Sequence, residues 1–167
     1  MLTTESLPYV SKESLYDFKI DGNEAIVQEF INNHLQNFGK LVRPSLCQLF
    51  GSWLNVPNPK ILSIAKAAEY IHSASLIHDD VVDMATTRRS HPTLNTKMTN
   101  ARAVLAGDFL LAQVIRDLVD VKEFELLDRL AQVLKEMVEG EFLQDELKQK
   151  MDVTQNDLIK VSQKTLA

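Results

Sequence analysis

Asp79, Asp80 and Asp83 close a long apolar run, residues 61–77, that reads as one buried helix. Carboxylates in that position work against the helix. Asp is a poor helix former. A negative charge at a helix C-terminus meets the unfavourable end of the macrodipole, at about 0.3–1 kcal/mol per charge, and like charges one turn apart repel further. A divalent cation reverses the sign of each contribution. Asp79 and Asp83 fall one turn apart on one face, with Asp80 beside them. One or two carboxylates holding Mg2+, which in turn grips substrate phosphates, is the usual magnesium arrangement. Asp79 and Asp83 are therefore the candidate metal ligands.

The basic residues fit the same chemistry. Arg88 and Arg89 follow Asp83 at the same helix end. Adjacent arginines are often only solvated surface, but their forks match phosphate oxygens, and hydrogen bonds to charged groups contribute about 1.5–3 kcal/mol each. Lys40 and Arg43 precede Pro44 at a helix start, a natural anion site; alone, Lys40 reads as a surface lysine. His72 stands two helical turns before Asp79, about 10 Å away on the same side. Taken singly it reads as a core histidine, and its alignment with the carboxylates adds a second reading. His78 and His91 lack such support. The histidine spacing and the absence of cysteine pairs disfavour zinc. Together these residues form an acidic magnesium platform ringed by cations, suited to diphosphates.

The elements that must position them are helices. The chain has 167 residues, 45% hydrophobic and 25% charged, with five Gly, five Pro and little β-branched alternation. It reads as all-α. Residues 1–22 form an arm. Helices are expected over residues 24–36, after Pro44, over 60–84, from a cap at Asn100 to 117, over 122–148, and over 157–166 behind a capping box at Thr154 and Asp157. Residues 85–99 read as a loop. A net charge of -5 argues against a nucleic-acid partner. Cys47, the single cysteine, sits among Leu46, Leu49 and Phe50, reads as a buried hydrophobe and fits a reducing compartment. The most apolar stretch, 103–115, is too short to span a membrane and is interrupted by Asp108.

The run from His72 through Asp79-Asp80-Val81-Val82-Asp83 to Arg88-Arg89 resembles the first aspartate-rich motif of the trans-prenyltransferases, the polyprenyl diphosphate synthase family. Residues 103–111, the segment Gly39-Lys40-Leu41-Val42-Arg43-Pro44, Gly140-Glu141 with Gln144, and Lys164-Thr165 resemble further family positions in order. The resemblance implies an isoprenoid-synthase-type helical bundle, with residues 23–167 as the N-terminal part of one domain whose C-terminal half, with a second aspartate-rich motif, is absent. It implies that Mg2+ bound by Asp79 and Asp83 bridges to an allylic diphosphate, with Asp80 close by. Asp79, Asp80, Asp83 and Arg88 would be the catalytic set. Arg88, Lys164 and Thr165 would bind the allylic diphosphate, and Lys40, Arg43, His72 and Arg89 the isopentenyl diphosphate. The implied reaction is a head-to-tail condensation.

Two departures from the family pattern stand out: Leu41 replaces an arginine, and Ser90 replaces the glycine after the double arginine. The small residues Ala74 and Ser75 before Asp79 imply a medium or long product, although small residues also serve tight helix packing. Apolar surface on the helices over 100–117 and 122–148 implies a homodimer or heteromer. The alternative is a non-catalytic or truncated subunit of a heteromeric synthase. A terpene cyclase or head-to-head synthase on the same fold would not need Lys40, Arg43, His72 and Arg89. The expected compartment is the cytoplasm, or an organelle if a transit peptide has been removed.

Overall fold

The computed structural model describes residues 41–150 and 152–165. The expected arm at 1–22, the helix at 24–36 and Lys40 lie outside the described residues. The chain divides into two compact units at Val121 and Lys122.

In the first unit, helix α1 spans Val42–Trp53 and helix α2 spans Asn58–Val82. Both end the same way. Asn55 and Met84 adopt left-handed φ values of 55° and 52°. The amide of Val56 returns to the Gly51 carbonyl at 2.9 Å, and that of Ala85 to the Asp80 carbonyl at 2.9 Å. These are Schellman closures, which satisfy carbonyls that a helix end otherwise orphans. Pro59 stands in the first turn of α2, where a missing N–H costs nothing.

A tight hairpin follows, strand β1 Thr87–Arg88 against strand β2 His91–Pro92, with Arg88 opposite His91. One helical turn, α3, Leu94–Lys97, then leads to helix α4, Asn100–Asp120. The expectation of a plain loop over 85–99 is corrected here. Arg89 and Ser90 both take positive φ, 50° and 67°, the signature of a type I′ turn. Such turns are usually announced by Asn-Gly, and Arg-Ser carries no such signal. The cap of α4 is also corrected: Thr99 Oγ1 accepts from the Arg102 amide at 3.3 Å, and Asn100 is the first helical residue.

Helix α2 is the centre of this unit, flanked by α1 and α4. Its buried residues Ile61, Ala65, Tyr70, Ala74 and Ile77 are mostly small or aliphatic. The buried positions of α4, namely Ala103, Ala106, Gly107, Leu110, Val114 and Leu118, recur every three to four residues and form one stripe. A fully buried Leu contributes about 1.5–3 kcal/mol over an exposed one, so Leu110 and Leu118, both fully buried, anchor α4 against the rest of the unit. The opposite side of α4 leaves Leu105, Ile115 and Val119 exposed.

The second unit pairs helix α5, Phe124–Lys148, with helix α6, Gln155–Thr165. The expected capping box is present: Asp157 Oδ2 accepts from the Thr154 amide at 3.0 Å, and Thr154 Oγ1 accepts from the Asp157 amide at 3.3 Å. Among the described residues no helix is long and apolar enough to cross a membrane. The described elements are helical apart from the four hairpin residues, in keeping with the all-α expectation.

Candidate active site

The last turn of α2 places the three carboxylates differently. Asp80 is buried at 2% exposure, Asp79 is half-buried and Asp83 is exposed. Asp80 faces the hairpin: Arg88 Nε donates to its Oδ1 at 2.8 Å. One of the three acidic residues thus has a structural reason that its position at a helix C-terminus does not suggest. Arg88 lies eight residues away, and only the hairpin brings it back. Asp79 and Asp83 remain one turn apart at the same end, a pair of hard oxygen donors.

That pair fits magnesium by its donor chemistry. Among the described residues no three acidic, His or Cys side chains converge on one point. A closed cage of protein ligands suits calcium or structural zinc, whereas Mg2+ keeps several waters and takes one or two carboxylates plus substrate phosphate. Asp79 and Asp83 make a two-carboxylate set of that kind, and Asp80 is held by Arg88.

The charges of Arg43, Arg89 and Arg88 act on His72. Burial is the first cause that holds the His72 pKa below its ordinary value, and the charges of Arg43, Arg89 and Arg88 push it lower still. A neutral imidazole among three guanidinium groups can donate to an anion without adding to the cationic repulsion. One turn earlier on α2, Glu69 is 5% exposed. Burial raises its pKa, and the charge of Arg43 opposes the rise. The sequence-predicted residues Arg43, His72, Arg88 and Arg89 therefore share one electrostatic neighbourhood in the first unit.

Leu41 is 6% exposed and forms a small core cluster with Ala65, against which Cys47 packs. It takes a left-handed φ of 49°, and its carbonyl accepts from the Ser45 hydroxyl at 2.8 Å. The position is apolar and enclosed, so this chain has no cation there. Cys47 is half-buried. Ala74 is buried, and the half-buried Ser75 donates its hydroxyl to the His72 carbonyl at 2.9 Å.

Lys164 and Thr165 lie on α6 in the second unit. Lys164 Nζ donates to Glu139 Oε2 of α5, which raises the lysine pKa and lowers that of the glutamate. Gly140, beside Glu139, is the buried residue of α5.

Residues that the sequence did not point to also shape the site. His78 Nε2 lies 3.2 Å from the Val104 carbonyl and 3.6 Å from Asp108 Oδ1. It occupies the space that Gly107 leaves: a Cβ there would stand 2.2 Å from Nε2. Asn95 and Thr93 bind carbonyls at the end of α2 and the start of the hairpin. A lone histidine and a polar loop carry no periodic signal, so only three-dimensional placement identifies them.

The chain is 34% identical over 143 residues to an all-trans-nonaprenyl-diphosphate synthase (geranyl-diphosphate specific) of Rhodobacter capsulatus, covering 85% of this chain and 44% of that protein. It is 43% identical over 94 residues to decaprenyl-diphosphate synthase subunit 1 of Schizosaccharomyces pombe, covering 56% of this chain and 24% of the relative. A polyprenyl synthase from Caulobacter crescentus, solved with calcium and isoprenyl diphosphate, superposes with a TM-score of 0.82 at 27% identity, over 92% of this chain and 46% of that one. The chain spans less than half the length of these relatives. Residues 24–166 match the family profile described as Polyprenyl synthetase. A match over that span, which takes in the corner of aspartates and arginines described above, makes the chain a member of the polyprenyl synthetase family.

Proposed function

We propose that this chain contributes the first diphosphate-binding half of a Mg2+-dependent prenyltransferase that condenses isopentenyl diphosphate with an allylic diphosphate into a polyprenyl diphosphate. The observation that carries the reading is the corner itself: Asp79 and Asp83 one turn apart, and Arg88 docked on buried Asp80 beside them. Asp79 and Asp83 would hold Mg2+, which when bound supplies Lewis-acid neutralisation of charge on a departing diphosphate.

The chain's own residues do the rest. Asp80 takes the Nε of Arg88, so the terminal nitrogens of that fork remain for phosphate oxygens, where preorganised charge stabilises the leaving group. Arg89, Arg43 and Lys40 supply positive charge for the isopentenyl diphosphate, and neutral His72 donates a hydrogen bond to it. The allylic C–O bond breaks with its electron pair on the diphosphate, the isopentenyl double bond attacks the carbocation, and a proton leaves. The family resemblance also assigns Lys164 and Thr165, on α6 of the second unit, to the allylic substrate. Ala74 and Ser75 leave room along α2 for a medium or long product. The exposed Leu105, Ile115 and Val119 of α4 cover a second subunit.

The test is incubation of the chain with labelled isopentenyl diphosphate, an allylic primer and Mg2+. Chain extension that is lost with EDTA and in Asp79→Ala/Asp83→Ala supports the reading. Extension that survives both treatments sinks it.

A second reading has its own observation. Leu41 is buried against Ala65 where the resemblance expects an arginine, and the chain spans less than half of its relatives. One of those relatives is named as a subunit. On this reading the chain is a partner subunit of a heteromeric synthase. It would be inactive alone, copurify with a complete synthase and change that enzyme's product length.

A further inference from the structure

The residues that follow the hairpin hold the end of α2 from behind. Asn95 Nδ2 donates to two carbonyls, Asp80 at 3.2 Å and Ala85 at 3.1 Å. Thr93 Oγ1 donates to the Ala85 carbonyl at 2.7 Å. The Thr93 amide and the Thr96 hydroxyl donate to the Thr86 carbonyl at 3.1 and 3.2 Å. The segment 93–96 therefore grips the carbonyls of residues 80, 85 and 86. These flank Asp83 on one side and lead into β1, which carries Arg88, on the other. Asp80 is held twice, by its carboxylate through Arg88 and by its carbonyl through Asn95.

The orientation of the Asn95 amide follows from its partners, because the reversed amide would set an oxygen against two carbonyl oxygens. Its own Oδ1 is buried and has no partner among the described residues. An orphaned acceptor costs stability, so the amide oxygen does not explain an asparagine at this position. Its two N–H donors do.

We propose that Asn95 is a positioning residue: by tying the Asp80 and Ala85 carbonyls together, it fixes the turn that presents Asp83 and Arg88 to one magnesium-bound diphosphate. The role in binding rests on the proposed function. The mechanical part, that Asn95 holds Arg88 on Asp80, does not.

Two variants of the whole chain test it. Asn95→Asp keeps the shape and turns both donors into acceptors. Asn95→Ala removes the donors without adding charge. Inorganic pyrophosphate with Mg2+, followed by calorimetry, probes binding. The Arg88 Nε–H resonance, slowed in solvent exchange by the pair with Asp80, probes position. The expected result is unchanged helical circular dichroism, loss of the slow Arg88 Nε–H exchange in both variants, and an affinity lower by about tenfold or more, as for a displaced charged contact. Protected Arg88 Nε–H and unchanged affinity in both variants would overturn the proposal. So would loss of helical structure in both, which would make Asn95 a folding residue only. If the unmodified chain binds no pyrophosphate with Mg2+ while the Arg88 resonance still responds to Asn95, the positioning role stands and the proposed function fails.

Discussion

Arg88 Nε lies 2.8 Å from Asp80 Oδ1, and the two partners differ sharply in their access to water: Asp80 is 2% exposed and Arg88 39%. The pair is therefore asymmetric. Removing Arg88 strands a buried carboxylate, which costs about 3 kcal/mol or more. Changing Asp80 to Asn leaves Arg88 a neutral acceptor and a path to solvent, at a cost of about 1 kcal/mol. Urea denaturation of Arg88→Ala and Asp80→Asn is expected to show this ordering. Equal losses, or the reverse order, would mean that Asp80 is hydrated in solution and does not hold the hairpin.

The hairpin also carries a correctable strain. Ser90 sits at φ 67°, where a side chain costs about 1–2 kcal/mol relative to the right-handed region, while a glycine adds about 0.4–1 kcal/mol of unfolded-state entropy. Ser90→Gly is expected to stabilise the chain by roughly 0.5–1 kcal/mol, the difference between those terms, and to leave pyrophosphate affinity unchanged. Arg89→Gly, at φ 50°, relieves the same backbone but removes a guanidinium, so it should bind more weakly. Thermal melts and calorimetry on the two variants separate backbone relief from lost charge. A lower Tm for Ser90→Gly would contradict the turn assigned here.

What was legible in the chain follows from which signals are local. The helical course of α2, the one-turn spacing of Asp79 and Asp83, and the capping box of Thr154 and Asp157 depend on residues within four positions, where helical periodicity speaks directly. The pairing of Asp80 with Arg88, the grip of Asn95 on two carbonyls and the seat of His78 against Gly107 depend on chain reversals that no periodic pattern encodes. The hairpin has no local signal because Arg-Ser stands where Asn-Gly usually announces such a turn. Local rules make three aspartates at a helix end work against the fold, yet Asp80 serves it through Arg88.

His78 of α2 packs against Gly107 of α4 next to the carboxylates. A Cβ at residue 107 would fall 2.2 Å from His78 Nε2 and 2.6 Å from its Cδ2, so the ring must turn away and give up the Val104 carbonyl at 3.2 Å. Overpacking of this kind costs about 1–3 kcal/mol, and alanine returns up to about 1 kcal/mol in helix propensity. Gly107→Ala is expected to lose roughly 1 kcal/mol net on those terms. In a His78→Ala background the same change should stabilise, because the clash is gone and the propensity gain remains. A double-mutant cycle by chemical denaturation reads the coupling directly. Additive effects of the two changes would show that ring and backbone do not meet.

Glu69 and His72 set opposite slopes of stability against pH. Burial raises the Glu69 pKa above 4.5, and the charge of Arg43 only moderates the rise. Its folded form holds the proton more tightly than the unfolded chain does. The stability it contributes is thus complete below about pH 4.5 and is lost as pH rises through the raised value. His72 is the reverse case. Burial first, then Arg43, Arg89 and Arg88, lower its pKa below 6.5, so its contribution is complete above about pH 6.5 and is lost as pH falls through the lowered value. Glu69→Gln should therefore be more stable than the unmodified chain at neutral pH, with the gain vanishing in acid. His72→Gln should gain on the unmodified chain as pH falls below 6.5. Arg43→Ala connects the two, since it removes a charge that acts on both. The His72 titration followed by NMR should move up toward 6.5, and the neutral-pH gain from Glu69→Gln should grow because the buried carboxylate has lost its opposing charge. A His72 titration unmoved by Arg43→Ala would place Arg43 away from α2 and dissolve the cationic neighbourhood on which diphosphate binding is argued.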